Sequence, residues 1–287
     1  MSQLEKDSKV AVITGAARGI GKAIASELHR AGYRVVIADR QYALAEQTAN
    51  ALGQGACARP LDVTDADSIA ALVREVEGTL GPIDVWVNNA GIMPTGRFAT
   101  QDPMLANATI DVNYRGVVLC TRQVLPRMLE RRRGHVVQIA SATAAHPIAG
   151  LSVYSGTKAA VVGFSHALRR ELRRSGVRVS LILPYLASTP MGAGIQAQPG
   201  FRAVSPEAVA RAVHRTLQNG EFMEFVPRRL RWGSALLNAL PLWLRDRVDD
   251  SLRSDAIGLA GDAAERARYE REAVHDVANP SDQRPTP

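Results

Sequence analysis

The amino-acid sequence predicts an α/β fold, a doubly wound parallel sheet of about seven strands. Short β-branched runs alternate with helical patterns at the lengths that βαβ units require. The chain has 287 residues, which suits one α/β domain with an extension. Hydrophobic residues make up 46% of the sequence, enough for the core of such a sheet.

The composition along the chain divides it into four parts. We expect a flexible N-terminus over residues 1–8 and the α/β domain over 9–227. A helical extension is predicted over 228–278, followed by a disordered polar tail over 279–287.

The first half of the chain contains four predicted strands, over residues 9–13, 34–38, 56–61 and 83–87. Helical patterns separate them, over 20–31, 43–51 and 65–77. Gly32 is expected to end the first helix. Thr64 with Asp67 resembles a capping box before the third.

The second half begins with two long helical patterns, over 103–132 and 151–174, with a strand over 135–140 between them. Arginines cluster in the last turn of each pattern, where cations complement the helix dipole, so we interpret them as structural. Then follow a strand over 177–183, a helix from Ser205-Pro206 to Gly220, and a short strand over 224–226.

Composition excludes several classes of function. The formal charge of +7 is small for this length, and no basic patch is interleaved with aromatic residues, so nucleic-acid binding is not expected. The two cysteines, Cys57 and Cys120, and the scattered histidines show no metal-ligand spacing, so we expect no metal. The polar start, the few cysteines and the lack of a membrane-spanning run predict a cytoplasmic protein.

A glycine-rich turn joins the first strand to the first helix. Gly15 permits a tight turn, Gly19 allows a pyrophosphate to approach the backbone, and Gly21 allows close packing of helix on strand. Arg18 and Ile20 complete the turn, and the helix N-terminus supplies amide donors. The spacing is Gly-x3-Gly-x-Gly, which differs from the generic dinucleotide fingerprint, so the interpretation depends on the strand–turn–helix context.

Asp39 closes the second strand and bears on the choice of cofactor. A carboxylate there can accept both adenosine-ribose hydroxyls and would repel a 2′-phosphate, which favours NAD. Arg40 beside it and Arg18 in the turn can each meet a 2′-phosphate, so NADP stays open as the alternative.

Tyr154 and Lys158 lie four residues apart, on one face of a predicted helix. A nearby ammonium lowers the pKa of a phenol, and such a tyrosine suits proton transfer in alcohol–carbonyl chemistry. The same spacing occurs on many helices by chance, so the pair needs support from the other motifs.

Four motifs together resemble the short-chain dehydrogenase/reductase family. They are Thr14-Gly15-x3-Gly19-Ile20-Gly21, Asn88-Asn89-Ala90-Gly91, Ser141 and Tyr154-x3-Lys158, in the family's order and approximate spacing. The resemblance covers about residues 9–226 and implies a Rossmann-like domain with dehydrogenase or reductase activity.

The resemblance implies roles for the matching residues. Tyr154 would be the general acid/base, Lys158 would lower its pKa and hold the nicotinamide ribose, and Ser141 would polarise the substrate carbonyl. Asn113 resembles the family's helix-interrupting asparagine that positions a relay water. The remaining cofactor contacts implied are Asp62, Val63, Asn89, Ala90, Gly91, Pro184 and Thr189, with Asn88 stabilising the central sheet.

One motif departs from the family pattern. The family commonly has Pro-Gly after the sixth strand, whereas here Pro184 is followed by Tyr185. Thr189 keeps the place of the threonine that binds the nicotinamide amide. The expected walls of a mainly apolar alcohol or ketone pocket are Met93, Phe98, Thr143, His146, Tyr185, Leu186 and Met191. His146 would bind substrate or be solvated in its loop. Residues 191–200 are predicted to form a flexible flap over the substrate.

Residues 228–244 combine arginines with a Leu/Trp stripe. The pattern suits an interfacial membrane helix, a helix packed over the pocket or a subunit contact. Pro241 and the following acids favour the packed alternatives. The family resemblance also suggests a homodimer or homotetramer through the two long helices.

We therefore predict an NAD(H)-dependent oxidoreductase that interconverts an alcohol and a ketone. An NADP(H) reductase is the alternative within this class. A dinucleotide-binding regulatory or scaffold protein without turnover is the alternative from another class.

Overall fold

The structure, a computed structural model, describes residues 8–195 and 202–278, with side chains up to residue 272. The predictions for the N-terminus and the tail therefore lie largely or wholly outside the described residues, and so does half of the predicted flap, residues 196–200.

Seven parallel strands form one sheet in the described part of the chain, in the order β3-β2-β1-β4-β5-β6-β7. The order runs outward from β1 in one direction and then from β4 in the other, which places a topological switch point between β1 and β4. The strands are β1 Val10–Thr14, β2 Arg34–Asp39, β3 Ala56–Pro60, β4 Ile83–Asn88, β5 Gly134–Ile139, β6 Val177–Pro184 and β7 Met223–Val226.

Helices cover both faces of the sheet and its carboxyl edge. They are α1 Gly19–Arg30, α2 Tyr42–Leu52, α3 Ala66–Thr79, α4 Pro103–Ile110, α5 Gly116–Glu130, α6 Ser152–Glu171, α7 Pro206–Asn219, α8 Leu230–Ala239, α9 Leu242–Ser251, α10 Ala256–Leu259 and α11 Ala263–Ala278.

The alternation of side chains along each strand divides the core between the two faces. Ile13 of β1 belongs to the cluster that includes Leu28 of α1 and Val213 of α7. Val12 belongs to the opposite cluster with Val124 of α5. All five side chains are almost completely buried, and the predicted doubly wound architecture is confirmed.

A polar network stabilises the sheet at the end of β4. Trp86 Nε1 donates to Asn88 Oδ1 at 2.8 Å, and Asn88 Nδ2 donates to Gln138 Oε1 at 2.8 Å and to Thr121 Oγ1 at 3.1 Å. Because these groups are buried, leaving one unpaired would cost free energy. The structural role expected for Asn88 is confirmed.

Two local predictions are corrected. The N-cap of α3 is Asp65, whose Oδ1 accepts from Asp67 N at 2.9 Å, whereas the Thr64 hydroxyl donates to Asp62 Oδ1 at 2.6 Å. The long helical pattern over 103–132 is divided by a π-helical turn, Asp111–Arg115. Such turns widen a helix locally and are frequent at functional sites.

The extension is helical, as predicted, and continues as α8–α11 over the carboxyl edge of the sheet. Among the described residues, no helix has both the length and the apolar character required to cross a bilayer.

Candidate active site

A cavity of about 340 Å³ lies at the carboxyl edge of the sheet, beside the switch point. Two of the predicted residues, Asn113 and Phe98, are absent from its lining. Phe98 is 67% exposed, so the expectation that it forms a pocket wall is wrong. The predicted residues that line it are Gly15, Arg18, Gly19, Ile20, Asp39, Arg40, Asp62, Val63, Asn89, Ala90, Gly91, Met93, Ser141, Thr143, His146, Tyr154, Lys158, Pro184, Tyr185, Leu186, Thr189 and Met191.

The glycine-rich turn is held against the end of β4. Gly15 has φ +64°, and a Cβ there would lie 2.7 Å from Ala90 Cα, so only glycine fits. Asn89 Nδ2 donates to the carbonyls of Thr14 and Gly15, each at 2.9 Å. A Cβ on Gly21 would collide with the Gly15 carbonyl and with Asn89. Gly21 is therefore required by the close packing of the turn itself, in addition to the predicted packing of helix on strand.

Asp39 is bound to this same turn. Its Oδ2 accepts from Ala17 N at 2.9 Å and its Oδ1 accepts from Gln41 N at 3.0 Å. Burial raises the pKa of the carboxyl, and the two backbone bonds, Arg18 and Arg40 oppose that rise. The carboxylate faces the cavity at the end of β2, where a ribose would lie.

Arg40 is oriented toward a second carboxylate. Its Nη1 lies 4.0 Å from Asp62 Oδ2, and both side chains are partly buried. Asp62 Oδ1 in turn accepts from Thr64 N at 2.8 Å. The guanidinium is therefore shared between the two carboxylates Asp39 and Asp62 on the rim of the cavity.

Ser141, Tyr154 and Lys158 meet at the opposite end of the cavity. Ser141 follows β5, while the tyrosine and lysine lie one turn apart on α6. The hydroxyls of Ser141 and Tyr154 share a hydrogen bond. Thr143 N donates to Ser141 Oγ at 3.1 Å, and Lys158 Nζ donates to the Ile139 carbonyl at 3.0 Å.

Burial is the largest cause of the pKa shifts of Tyr154 and Lys158. It raises the pKa of Tyr154 to about 12, although the bond from Ser141 opposes the rise. It lowers the pKa of Lys158 to about 8. The sequence predicted that Lys158 lowers the pKa of Tyr154, whereas in the polypeptide alone the net shift of that pKa is upward, with burial of the phenol as its largest cause.

Asn113 lies in the π-helical turn and is completely buried. Its Oδ1 accepts from Ile92 N and its Nδ2 donates to the Ile92 carbonyl, each at 2.8 Å, and Nδ2 also approaches Thr157 Oγ1 at 3.3 Å. Its side chain therefore ties the segment after β4 to α6. A Cβ on Gly91 would lie 3.1 Å from Asn113 Oδ1 and 3.6 Å from Lys158 Nζ, so both groups pack closely against Gly91, which lines the cavity.

His146 contacts the extension. Its Nε2 lies 2.7 Å from Asp249 Oδ1 of α9, and the Ser254 hydroxyl donates to the same oxygen at 3.1 Å. The alternative of a solvated loop histidine is therefore wrong. The contact fastens the α9–α10 segment over the end of the cavity that Tyr154 lines.

Arg266 of α11 fastens the extension at a second point and was not predicted. Only 4% of it is exposed, and Nη1 donates to the carbonyls of Met191 at 2.8 Å and Ala193 at 3.3 Å. Nη2 donates to the Met93 carbonyl. Tyr269, one turn on, accepts from Met93 N at 3.0 Å and lines the cavity near Tyr154.

Six further lining residues of the extension were not named from the sequence, although a helix packed over the pocket was among the alternatives predicted for residues 228–244. Helical spacing over 230–237 was the available signal, because apolar and small residues recur there at i, i+3, i+4 and i+7. Their pairing with the cavity depends on tertiary packing. They are Leu230, Gly233, Ser234, Leu237, Leu252 and Ile257.

A family model described as short chain dehydrogenase matches residues 9–200, more than half of the chain. An uncharacterized oxidoreductase of Staphylococcus aureus is 35% identical over 206 residues, which cover 71% of this chain and 89% of the relative. The chain belongs to the short-chain dehydrogenase family. As a short-chain dehydrogenase it is an NAD(P)-dependent oxidoreductase, and the resemblance based on the four motifs is confirmed.

Two solved structures resemble this short-chain dehydrogenase. A variant of actinorhodin polyketide ketoreductase with NADPH has a TM-score of 0.70 and 34% identity, covering 75% of this chain and 92% of its own. The 3-ketoacyl-(acyl-carrier-protein) reductase from Brucella melitensis, complexed with NADH, has a TM-score of 0.68 and 31% identity, covering 74% and 91%. The two differ in nicotinamide cofactor.

Proposed function

We propose that this short-chain dehydrogenase uses NAD(H) to interconvert a secondary alcohol and a ketone on a mainly apolar substrate. The observation that carries the proposal is the hydrogen bond between the Ser141 and Tyr154 hydroxyls, beside Lys158 and at the end of an apolar cavity. Two hydroxyls that converge on one point suit a single carbonyl or alcohol oxygen.

The residues at the other end of the cavity fit a dinucleotide. The turn from Gly15 to Gly19 leaves room for a pyrophosphate at the N-terminus of α1. Asp39 offers acceptors for the adenosine ribose, and Asp62 with Val63 flanks the adenine position. The remaining contacts we assign to the cofactor are Arg18, Ile20, Arg40, Asn89, Ala90, Gly91, Tyr154, Lys158, Pro184 and Thr189.

When bound, the nicotinamide ring supplies or accepts the hydride. Tyr154 gives its phenolic proton to the carbonyl oxygen during reduction and takes it back during oxidation. Thr143 N donates to the Ser141 oxygen, so the Ser141 hydroxyl acts as a donor. In the polypeptide alone it donates to Tyr154, and with substrate bound it would donate to the substrate oxygen instead. With a pKa of about 8, Lys158 stays mostly protonated at pH 7 and stabilises negative charge on the phenolic oxygen during transfer.

Asn113 is assigned a positioning role in this scheme. Its side chain is occupied by Ile92 and Thr157, so any relay water would bind the backbone of the π-helical turn. The substrate walls we assign are Met93, His146, Tyr185, Leu186 and Met191.

The preference for NAD is based on the two carboxylates at the ribose end. Asp39 would repel a 2′-phosphate, and Arg40 is drawn toward Asp62. The test is kcat/KM with NADH and with NADPH, for the wild type and for Asp39→Ser, with thermal unfolding as a control because Asp39 also holds the turn. A wild type that prefers NADPH would show that the choice of NAD is wrong.

The activity itself is tested by a panel of ketones read through NADH absorbance. We expect turnover of sterol ketones, 3-oxoacyl thioesters or aromatic ketones. If NADH binds tightly but neither cofactor supports turnover of any compound, the non-catalytic alternative holds instead. The homodimer or homotetramer suggested by the family remains a prediction, which sedimentation of the purified chain tests.

A further inference from the structure

Helix α8 is apolar on two opposite faces. Leu230, Gly233, Ser234 and Leu237 form an inner face that lines the cavity. Trp232, Ala235, Leu236 and Ala239 recur at the same helical spacing on the outer face, and all four are exposed. A helix that is apolar all round is normally buried on both sides.

The exposure continues into α9. Trp232 is 75% exposed and Leu236 is 69% exposed, and at the start of α9 Leu242 and Trp243 are 73% and 62% exposed. We call Trp232, Ala235, Leu236, Ala239, Leu242 and Trp243 the outer patch. Exposed tryptophan and leucine side chains grouped in this way mark an interaction surface.

Arginines surround the outer patch. The guanidinium of Arg231 lies 5.8 Å from the centre of the Trp232 ring, and that of Arg247 lies 5.7 Å from the Trp243 ring. Arg228 and Arg229, also exposed, precede α8. Between residues 228 and 253 there are six arginines and three aspartates, and one of those aspartates, Asp249, faces His146.

From this arrangement we propose that the outer patch docks the protein on an anionic lipid bilayer. Tryptophan at the interface, leucine in the acyl region and arginine at the phosphates match the composition of the patch and its rim. Because α8 is short and no described helix crosses a bilayer, the helix lies on the surface. Docking would set the helix that lines the cavity against the membrane.

The two other possible occupants fit less well. In a twofold contact between copies the same surface meets itself, which brings arginine rims together and is unfavourable. The last nine residues, 279–287, contain no Leu, Ile, Val, Met or aromatic side chain that could cover the patch.

The experiment measures binding of the full chain to vesicles by co-sedimentation and by tryptophan emission. Vesicles of phosphatidylcholine with about 30% phosphatidylserine are compared with phosphatidylcholine alone. Of the three tryptophans, Trp86 is fully buried and the other two belong to the outer patch, so a shift in emission reports on the patch. We expect binding and a blue shift with the anionic vesicles, both weakened by salt.

Two variants and one control identify the surface. The pair Trp232→Ser and Leu236→Ser should lower the partition coefficient about tenfold or more. Arg231→Glu with Arg247→Glu should lower it several-fold on anionic vesicles only. Phe98→Ser, which removes a side chain exposed to a similar 67% outside the patch, should bind like the wild type. Far-UV circular dichroism confirms that each variant is folded.

The proposal is overturned if the folded wild type does not bind anionic vesicles, or if the serine pair binds as well as the wild type. It is also overturned if the serine pair dissociates a dimer while the wild type ignores vesicles, because the occupant would then be a second copy. None of these readouts depends on turnover.

Discussion

The ammonium of Lys158 lies 5.7 Å from the centre of the Tyr154 ring, one helical turn away on α6. The two side chains are only 5% and 8% exposed. In such a position burial disfavours the charged form of each group, and the two pKa values move apart, to about 8 for Lys158 and about 12 for Tyr154. At pH 7 the phenol is therefore neutral and the lysine mostly charged.

Replacing Lys158 by methionine should stabilise the fold while abolishing efficient turnover. The folded pKa lies below the ordinary value of 10.5, so a buried ammonium costs stability at neutral pH. Removing it should raise the free energy of unfolding at pH 7 by about 2 kcal/mol, after the loss of its bond to the Ile139 carbonyl.

The pH dependence of this effect follows from the sign of the shift. The cost is fully present below about pH 8 and disappears as pH rises toward 10.5, so the advantage of Lys158→Met should shrink over that interval. Urea unfolding at pH 7 and at a pH near 9.5 measures it. The exposed Lys22→Met is the control, and an equal effect there would show that burial is not the cause.

His135 should make the protein sensitive to acid. It is buried beside Ser180 Oγ at 2.8 Å, and burial lowers its pKa to about 3. The pKa of His135 in the folded state lies below the ordinary 6.5. Stability is therefore unaffected by His135 above pH 6.5 and decreases as pH falls toward 3, because the unfolded chain binds a proton that the folded chain does not. Between pH 6.5 and pH 4, the free energy of unfolding of His135→Gln should fall by about 3 kcal/mol less than that of the wild type. Urea unfolding at both pH values measures this difference. The control is His29→Gln, at a partly exposed position, which should lose as much stability as the wild type.

The glycine-rich turn and the Tyr154–Lys158 pair, which line one cavity, could be predicted from the sequence because their motifs are local. The turn from Gly15 to Gly21 needs only a strand and a helix around it, and Tyr154 and Lys158 need only one helix. The direction of the Tyr154 pKa shift could not be predicted in the same way. The burial that raises this pKa is a property of the assembled cavity and depends on tertiary contacts.

The substrate end was predicted less well because it is built from distant segments. Nothing local to His146 indicates that Asp249, 103 residues later, will meet it. Arg266 likewise has no motif, and the carbonyls it binds belong to two loops. Phe98 was misplaced because an apolar residue in the segment between β4 and α4 does not reveal whether its side chain faces the cavity or solvent.

Asp249→Asn should raise the KM for substrate more than it lowers kcat. The charge-assisted contact with His146 at 2.7 Å holds the segment that covers the cavity. Without it, KM should rise about three- to tenfold, while kcat changes less than about twofold. Steady-state kinetics of the variant measure both constants. The neighbouring exposed Asp250→Asn serves as control, and an equal rise in KM there would contradict the role of the contact.

Arg266→Ala should destabilise the protein and loosen the cavity. It removes the donors of three backbone carbonyls at a buried position, so the free energy of unfolding should fall by about 2–4 kcal/mol. Denaturant unfolding compares it with Arg268→Ala on the same helix, whose side chain is 81% exposed. The role assigned to Arg266 is wrong if the two variants lose the same stability.

Proton transfer from Tyr154 to the substrate oxygen can be tested through the kcat of Tyr154→Phe with a ketone from the panel. We expect kcat to fall by about 10²–10⁴-fold while NADH affinity stays within about twofold, because only the hydroxyl is removed. Tyr33→Phe, remote from the cavity, should leave kcat unchanged. A Tyr154→Phe enzyme that turns over ketone at the wild-type rate would contradict the claim.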